Sequence, residues 1–308
     1  MTSQATVCVV VRDRLQMMAE CLDALAAQQG VDYDLVVIDN GSTDGTYEML
    51  IQRATTFPVP MRVSRVEGPL GGARQAAVDQ ATAPIVAFTD SDCVPAADWL
   101  AKLVAPLEDL SVDVVQGRTD PAVEPDGRWP KTIRIDGWTD RYETCNIAYR
   151  ADALRAAGGF DRTGEVGGED TTAGWRVRRL GRRHAFAEQA LVHHAVTYPG
   201  LRWHHRFARD LAMWPALVRD FPELRKTVLH KGFFLRERSA AFDAAALGLA
   251  LLAARKPAGA LLLLPYARQL RPAWRADGTR GVAEVLSYDV NTAIGLIAGS
   301  WRARTVVL

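Results

Sequence analysis

Residues 83–93 read APIVAFTDSDC, and the reading of this stretch decides the fold. Ile85, Val86, Ala87 and Phe88 form an unbroken apolar run, the pattern of a short strand buried on both faces. Asp90 and Asp92 follow, one residue apart, where that strand comes to the surface. In extended geometry the two side chains point the same way. Like charges so close raise each other's cost of ionising, and a cation between them removes that penalty. Asp and Ser also favour ordinary turns, so the rest of the chain has to decide between a turn and a site.

Working outward, short apolar runs alternate with helical patterns. Strands are predicted at Val7–Val11, Leu35–Ile38, Met61–Val66, Ile85–Thr89 and Val112–Gly117, with helices at Met17–Gln28, Gly45–Ala54, Gly72–Ala81 and Ala97–Leu107. This alternation predicts an α/β fold, a mostly parallel sheet flanked by helices. In such sheets ligands sit at the carboxyl ends of the strands, the position of both FTDSDC and IDNGSTDGT. From Asp120 to Trp138 the Pro-, Gly- and Trp-rich DPAVEPDGRWPKTIRIDGW reads as a long excursion suited to a substrate loop. YETCNIAYR then reads as a strand and ADALRAAGGF as a short helix. GEVGGEDTTAGWRVRRLG is a glycine-rich loop entering a helix that stops at Gly181.

The chain has 308 residues, 48% apolar and 24% charged, enough for one large domain or two ordinary ones. Its four cysteines (Cys8, Cys21, Cys93, Cys145) lie far apart with no CxxC pair. They read as free thiols of a reducing compartment, not a zinc site or a disulfide framework. The opening MTSQATVCVVVRDR lacks the charged lead and longer apolar region of a signal peptide. The expected location is the cytoplasm. In VVIDNGSTDGT, residues 36–46, a strand ends at Asp39, a turn follows, and Asp44 sits where a helix is capped. Asp39 is also placed to accept a hydrogen bond from a nucleobase imide.

Five motifs occur in order: CVVVRDR, VVIDNGSTDGT, GPLGGARQAAVDQATAPIVAFTDSDCVP, CNIAYRADALRAAGGFD and GGEDTTAGWRVRRLG. Together, over about residues 5 to 200, they resemble the family-2 glycosyltransferases, which have the GT-A fold. The resemblance implies an inverting, metal-dependent transfer of one sugar from a nucleotide-diphospho-sugar to an acceptor hydroxyl. It implies that Val11 and Arg12 line the nucleotide pocket and that Asp39 holds the base, with Asn40 and Gly41 beside it. Arg74 matches the arginine of the family's ArN stretch, with Gln75 in place of the usual asparagine. Asp90 contacts the ribose and the metal shell, next to Ser91. Asp92 ligates a divalent cation, Mn2+ or Mg2+. His194 completes the metal shell, with His193 the rival. Asp170 matches the catalytic base, with Glu169 and Glu165 as substitutes. Gly168, Glu169 and Trp138 stand on the acceptor side.

The chemistry agrees with these roles. A hard cation held by carboxylates stabilises the charge growing on a diphosphate leaving group, and a carboxylate base takes the acceptor proton. Asp170 at a helix start is equally an ordinary N-cap. Two departures from the family pattern stand out. The opening strand runs into VVRDR instead of a Pro-x-Tyr/Asn-like turn, and the QxxRW motif of processive synthases is absent. The second departure argues for single-sugar addition. The competing readings are a sugar nucleotidyltransferase, for which VVVRDR is a poor triphosphate loop, and an inactive sugar-nucleotide-binding module, which the intact DSD and ED motifs disfavour.

Residues 1–200 form the expected catalytic domain and residues 201–308 a helical C-terminal region. The net charge is +1, yet residues 201–308 carry 17 Lys+Arg against 8 Asp+Glu. That excess points to an anionic partner. No nucleic-acid-binding motif accompanies it. The apolar runs AAALGLALLAA (244–254) and AGALLLLPYA (258–267) are each too short to span a bilayer, which needs about 20 residues, and Arg255-Lys256-Pro257 separates them. Two readings fit. The runs form a buried helix pair, packed internally or on a second copy of the chain, or a hairpin at a membrane interface flanked by Arg and Trp. The second reading places the protein on the inner face of the plasma membrane, acting on a glycan or lipid-linked acceptor of the cell envelope.

Overall fold

The computed structural model describes residues 3–127, 129–164, 168–181 and 183–308. They gather into two compact units, Met1–Tyr198 and Pro199–Leu308.

The strands of the first unit are β1 (Ala5–Val11), β2 (Tyr33–Asp39), β3 (Met61–Arg65), β4 (Ile85–Thr89), β5 (Cys93–Pro95), β6 (Val112–Pro121), β7 (Asn146–Arg150) and β8 (Arg183–His194). Its helices are α1 (Leu15–Ala26), α2 (Thr46–Ala54), α3 (Leu70–Gln80), α4 (Trp99–Val104), α5 (Ala151–Ala156) and α6 (Glu169–Arg179). The sheet order is β3-β2-β1-β4-β7-β6-β8-β5. β3, β2, β1 and β4 are mutually parallel, as the helical crossovers between them require. The chain returns from the Asp120–Trp138 excursion into β7, which runs against both β4 and β6. β8 is parallel to β6, and β5 runs antiparallel to β8. The mostly parallel sheet expected from the alternation is thus mixed beyond β4.

β1 and β2 are rich in Val, Leu and Ile and almost wholly buried, because helices cover both sheet faces. Met18, Leu22 and Leu25 of α1 pack with Val7, Val9, Leu35 and Val37 in one core. Each such side chain contributes about 1.5–3 kcal/mol on full burial. Register then positions the site. Val11 pairs with Asp39, and Cys8 with Phe88, so the carboxyl ends of β1, β2 and β4 open at one edge of the sheet. Cys93 pairs with His194, which brings the end of β8 beside the segment after β4. β5 and β8 lie outside the sequence expectation. β5 has three residues, and β8 opens with exposed polar side chains that hide its strand pattern.

The second unit is helical: α7 (Leu201–Asp210), α8 (Trp214–Asp220), α9 (Leu224–Thr227), α10 (Glu237–Ala253) and α11 (Gly259–Ala303). α11 bends where Asp277 and Gly278 leave helical geometry. α10 and α11 form the hairpin predicted around Arg255-Lys256-Pro257. A Cβ on Gly248 would lie 2.7 Å from the Gly259 carbonyl oxygen, so the two backbones touch near the tip. Deeper in, Asp289 accepts hydrogen bonds from Tyr266 (2.7 Å) and Arg238 (2.9 Å). Leu247, Leu249, Leu261 and Leu264 are exposed, while Leu263 and Leu270 pack against Ala241, Ala245 and Tyr266 between the two helices. Among the described residues, no helix is long and apolar enough to cross a membrane.

Candidate active site

The carboxyl edge of β1, β2 and β4 opens into a cavity of about 340 Å³. Val11, Arg12, Asn40 and Arg74 line it together with Asp90, Ser91, Asp92 and His194. Asp39 and Gly41 flank Asn40 in the chain and are not part of the lining. Asn40 ties the edge together. Its amide donates to the Gly68 carbonyl (3.2 Å) and accepts from the Gly68 N–H (3.1 Å).

Asp39 is fully buried. Its Oδ2 accepts from Arg65 Nε (2.7 Å) and the Ser42 N–H (3.2 Å), while Oδ1 has no hydrogen-bond partner. A buried acceptor without a donor is costly, and Oδ1 is left unpaired at the end of β2.

Asp92 is divided between two environments. Arg14 donates a hydrogen bond to its Oδ2, and Lys131 Nζ lies 3.8 Å from the same oxygen. Its Oδ1 lies 3.6 Å from His194 Nε2. Burial works to raise the Asp92 pKa, but His194, Arg14 and Lys131 outweigh it and hold the carboxyl below its usual range. His194 Nδ1 lies 2.8 Å from the Ala195 carbonyl oxygen. A carbonyl can only accept, so Nδ1 carries a proton, and Nε2 is the ring nitrogen turned toward Asp92. The 3.6 Å between Nε2 and Oδ1 is within the reach of one ion with bonds of about 2.1 Å. Cys93 also lies in this cluster. Burial above all, with Cys145, Asp90 and Asp92 nearby, pushes its thiol pKa well up. The carboxylate and imidazole fit a divalent cation. His193 faces the other side of β8, since side chains alternate along a strand.

Arg74 links the cavity to α6. It forms a buried ion pair with Glu169 and lies 3.7 Å from Asp90 Oδ1. Desolvation would lower the Arg74 pKa, but Glu169, Asp90 and Asp170 keep it above its usual value. Burial raises Asp90, against the pull of Arg74. Glu169 is thereby committed to a cation. Asp170, next in the chain, keeps a partly exposed face, and its Oδ1 accepts from the Thr171 N–H (2.7 Å). Its dense surroundings, with Glu169 and Glu143 adding repulsion, push its pKa up to about 8. Gly168 precedes α6 as its N-cap. Glu165 lies outside the described residues.

Gln75, the departure from the ArN pattern, has a structural task. Its Oε1 accepts from the Phe160 N–H (2.7 Å). A Cβ on Gly159, which has φ +64°, would sit 2.1 Å from that oxygen. The GGARQ and GGFD motifs are therefore packed together. Trp138 stands apart from the cavity lining. It stacks on His184 with centroids 4.0 Å apart and meets Tyr142 edge-on.

Two charged residues of the lining, Arg14 and Lys131, are absent from the sequence expectation. Arg14 follows β1, in the VVRDR that departs from the family turn. Lys131 comes from the Asp120–Trp138 excursion, tied down by the bridge from Lys131 to Thr197. A larger hollow of about 600 Å³, lined by Gln4, Asp32 and Pro58 among others, holds no comparable cluster of charged side chains.

The family model for glycosyl transferase family 2 matches residues 6–188, more than half of the chain. The chain belongs to glycosyl transferase family 2. This glycosyltransferase is 27% identical over 169 residues to the glycosyltransferase AglE of Haloferax volcanii, a match covering 50% of this chain and 55% of AglE. It thus spans about half the length of that relative. Among solved structures, it resembles the mannosyltransferase PcManGT from Pyrobaculum calidifontis, in complex with GDP-Man and Mn2+. The TM-score is 0.61 and the identity 23%, over 99% of this chain and 88% of that one. It also resembles S. aureus TarS 1–349 in complex with UDP-GlcNAc, with a TM-score of 0.54 and 17% identity over 98% and 92% of the two chains. These likenesses establish the GT-A fold for the glycosyltransferase.

Proposed function

We propose that this glycosyltransferase moves one sugar from a nucleotide-diphospho-sugar to an acceptor hydroxyl, with inversion and with a divalent cation. The observation that carries the reading is the pair Asp92 Oδ1 and His194 Nε2, 3.6 Å apart in one cavity with Asp90 and Arg74. Asp92 and His194 would hold the cation, which supplies charge neutralisation to the departing diphosphate. Relatives in fold support it: PcManGT is in complex with GDP-Man and Mn2+, and TarS with UDP-GlcNAc. Asp39 Oδ1 is the acceptor for a nucleobase N–H. Arg74 steadies Asp90, and Glu169 steadies Arg74.

Asp170 is the base. Its raised pKa suits it to take the proton of an acceptor hydroxyl, whereas Glu169 is held by Arg74. Asp170→Asn keeps the shape and removes the base. Donor binding is expected to survive, while transfer falls by at least about 10²-fold. A variant with near wild-type transfer would move the base elsewhere, first to Glu169 or Glu165.

The acceptor is a cell-envelope glycan or a lipid-linked one, and residues 201–308 rest on the anionic inner face of the plasma membrane. Their excess of 17 basic over 8 acidic residues supports this. So do the exposed leucines near the hairpin tip, flanked by Arg255 and Lys256. An anionic surface attracts such a segment electrostatically and apolar side chains then insert.

A further inference from the structure

Asp92 has two oxygens with opposite neighbours. Oδ1 faces His194 Nε2, while Oδ2 receives the Arg14 guanidinium, with Lys131 Nζ 3.8 Å away. Arg14 stands at the start of α1, its backbone N–H held by Thr46 Oγ1 (3.3 Å). Its side chain is 29% exposed, so it is not enclosed by the protein. It lines the same cavity as Asp90 and Ser91.

A guanidinium and a divalent cation on one carboxylate repel each other, and each weakens the other's hold. A diphosphate changes that balance, because its oxygens accept the guanidinium fork in a bidentate way. We propose that Arg14 is a resident counter-ion. It occupies Asp92 in the free enzyme and passes to the diphosphate when donor and cation bind together. This rests on the reading that a cation binds between Asp92 and His194. Arg14 is then a positioning residue that couples the two ligands. The cation alone binds weakly because it meets Arg14, and the diphosphate strengthens it by drawing Arg14 away. Coupling of this kind is reciprocal, so the cation strengthens the diphosphate equally.

The test is a titration of the whole protein with Mn2+, reading the free ion by its electron paramagnetic resonance signal. It is run alone and with saturating UDP or GDP. The wild type is expected to bind Mn2+ weakly alone and more tightly with one of the nucleotides. Arg14→Met should tighten Mn2+ alone by about fivefold or more, the lower end of ordinary coupling, and shrink the gain from the nucleotide. Arg14→Lys keeps the charge without the fork, so it should leave Mn2+ alone weak and still lose part of the nucleotide gain. Lys131→Met, removing a cation too far for a hydrogen bond, should give a smaller shift in the direction of Arg14→Met. Thermal melts establish that each variant is folded, and Arg14→Lys carries the test if Arg14→Met is not. Unchanged or weaker Mn2+ binding in Arg14→Met would overturn the counter-ion role while leaving the cation site standing. Absence of Mn2+ binding by the wild type, with or without nucleotide, would overturn the cation site itself and the counter-ion role with it.

Discussion

The two units of this glycosyltransferase carry their charges in opposite ways. In the first, buried carboxylates each meet an arginine: Glu169 with Arg74, Asp92 with Arg14, Asp39 with Arg65. In the second, basic residues outnumber acidic ones and many large apolar side chains stay exposed, among them Leu261, Leu264, Trp274 and Trp301. Buried, paired charge at strand ends is expensive to assemble and sensitive to each partner. Exposed, unbalanced charge acts collectively and is screened by salt. The first arrangement suits chemistry on a small ligand, the second adhesion to an extended surface.

Substitutions in the first unit should therefore have large, local effects. Asp92→Ala should abolish transfer and weaken nucleoside-diphosphate binding together, measured by turnover and by calorimetry. Retained turnover would mean that the cluster is not organised around this carboxylate. Glu169→Ala should be next. It leaves Arg74 buried without its ion-pair partner, and breaking a buried pair costs about 3–5 kcal/mol. Asp90, 3.7 Å away, retains part of the interaction, so urea unfolding should show a loss near the lower figure. A midpoint equal to wild type would contradict the burial argument.

The pH profile sharpens the same contrast at smaller amplitude. Burial and neighbouring carboxylates push Asp170 up to about 8, so it is mostly protonated at neutral pH and becomes a base as pH rises. Accordingly, kcat/KM should increase roughly tenfold between about pH 7 and 9. A flat or falling profile would remove Asp170 from the base role. In the second unit, effects should be small and additive. Liposome binding should rise with anionic lipid and fall partly with salt, because screening acts over about 8 Å at physiological ionic strength. Leu261→Ser with Leu264→Ser should remove the salt-resistant remainder. If the variant instead changes oligomeric state and the parent ignores liposomes, the hairpin face is a contact between copies of the chain.

The same division governs what the sequence made legible. The first unit could be read because apolar runs fix the strands and the motifs fall at their ends: Asp39 closing β2, Asp90 and Asp92 after β4. The pairing of β5 with β8 could not be read, since three residues carry no periodicity. Yet that pairing is what brings His194, not His193, to Asp92. Arg14 and Lys131 were hidden for a different reason. A lone cation has no spacing signature, and its role appears only when the chain returns to Asp92 from a distant position. Trp138 was expected on the acceptor side by resemblance, and its stacking on His184 is a contact that no local pattern announces. In the second unit, helicity and charge excess were visible in composition. The Gly248–Gly259 contact and the Asp289 network depend on tertiary packing and were not.

The most direct test of the central claim, cation-assisted glycosyl transfer at the Asp92–His194 cavity, uses the unaltered protein. It would be incubated with a panel of nucleotide-diphospho-sugars and Mn2+ or Mg2+, with and without excess chelator, and nucleoside diphosphate release measured. The account predicts release from a restricted set of donors, stopped by chelator and restored by added Mn2+ or Mg2+. Full release in excess chelator, or pyrophosphate formed from a nucleoside triphosphate and a sugar phosphate in place of donor turnover, would contradict it.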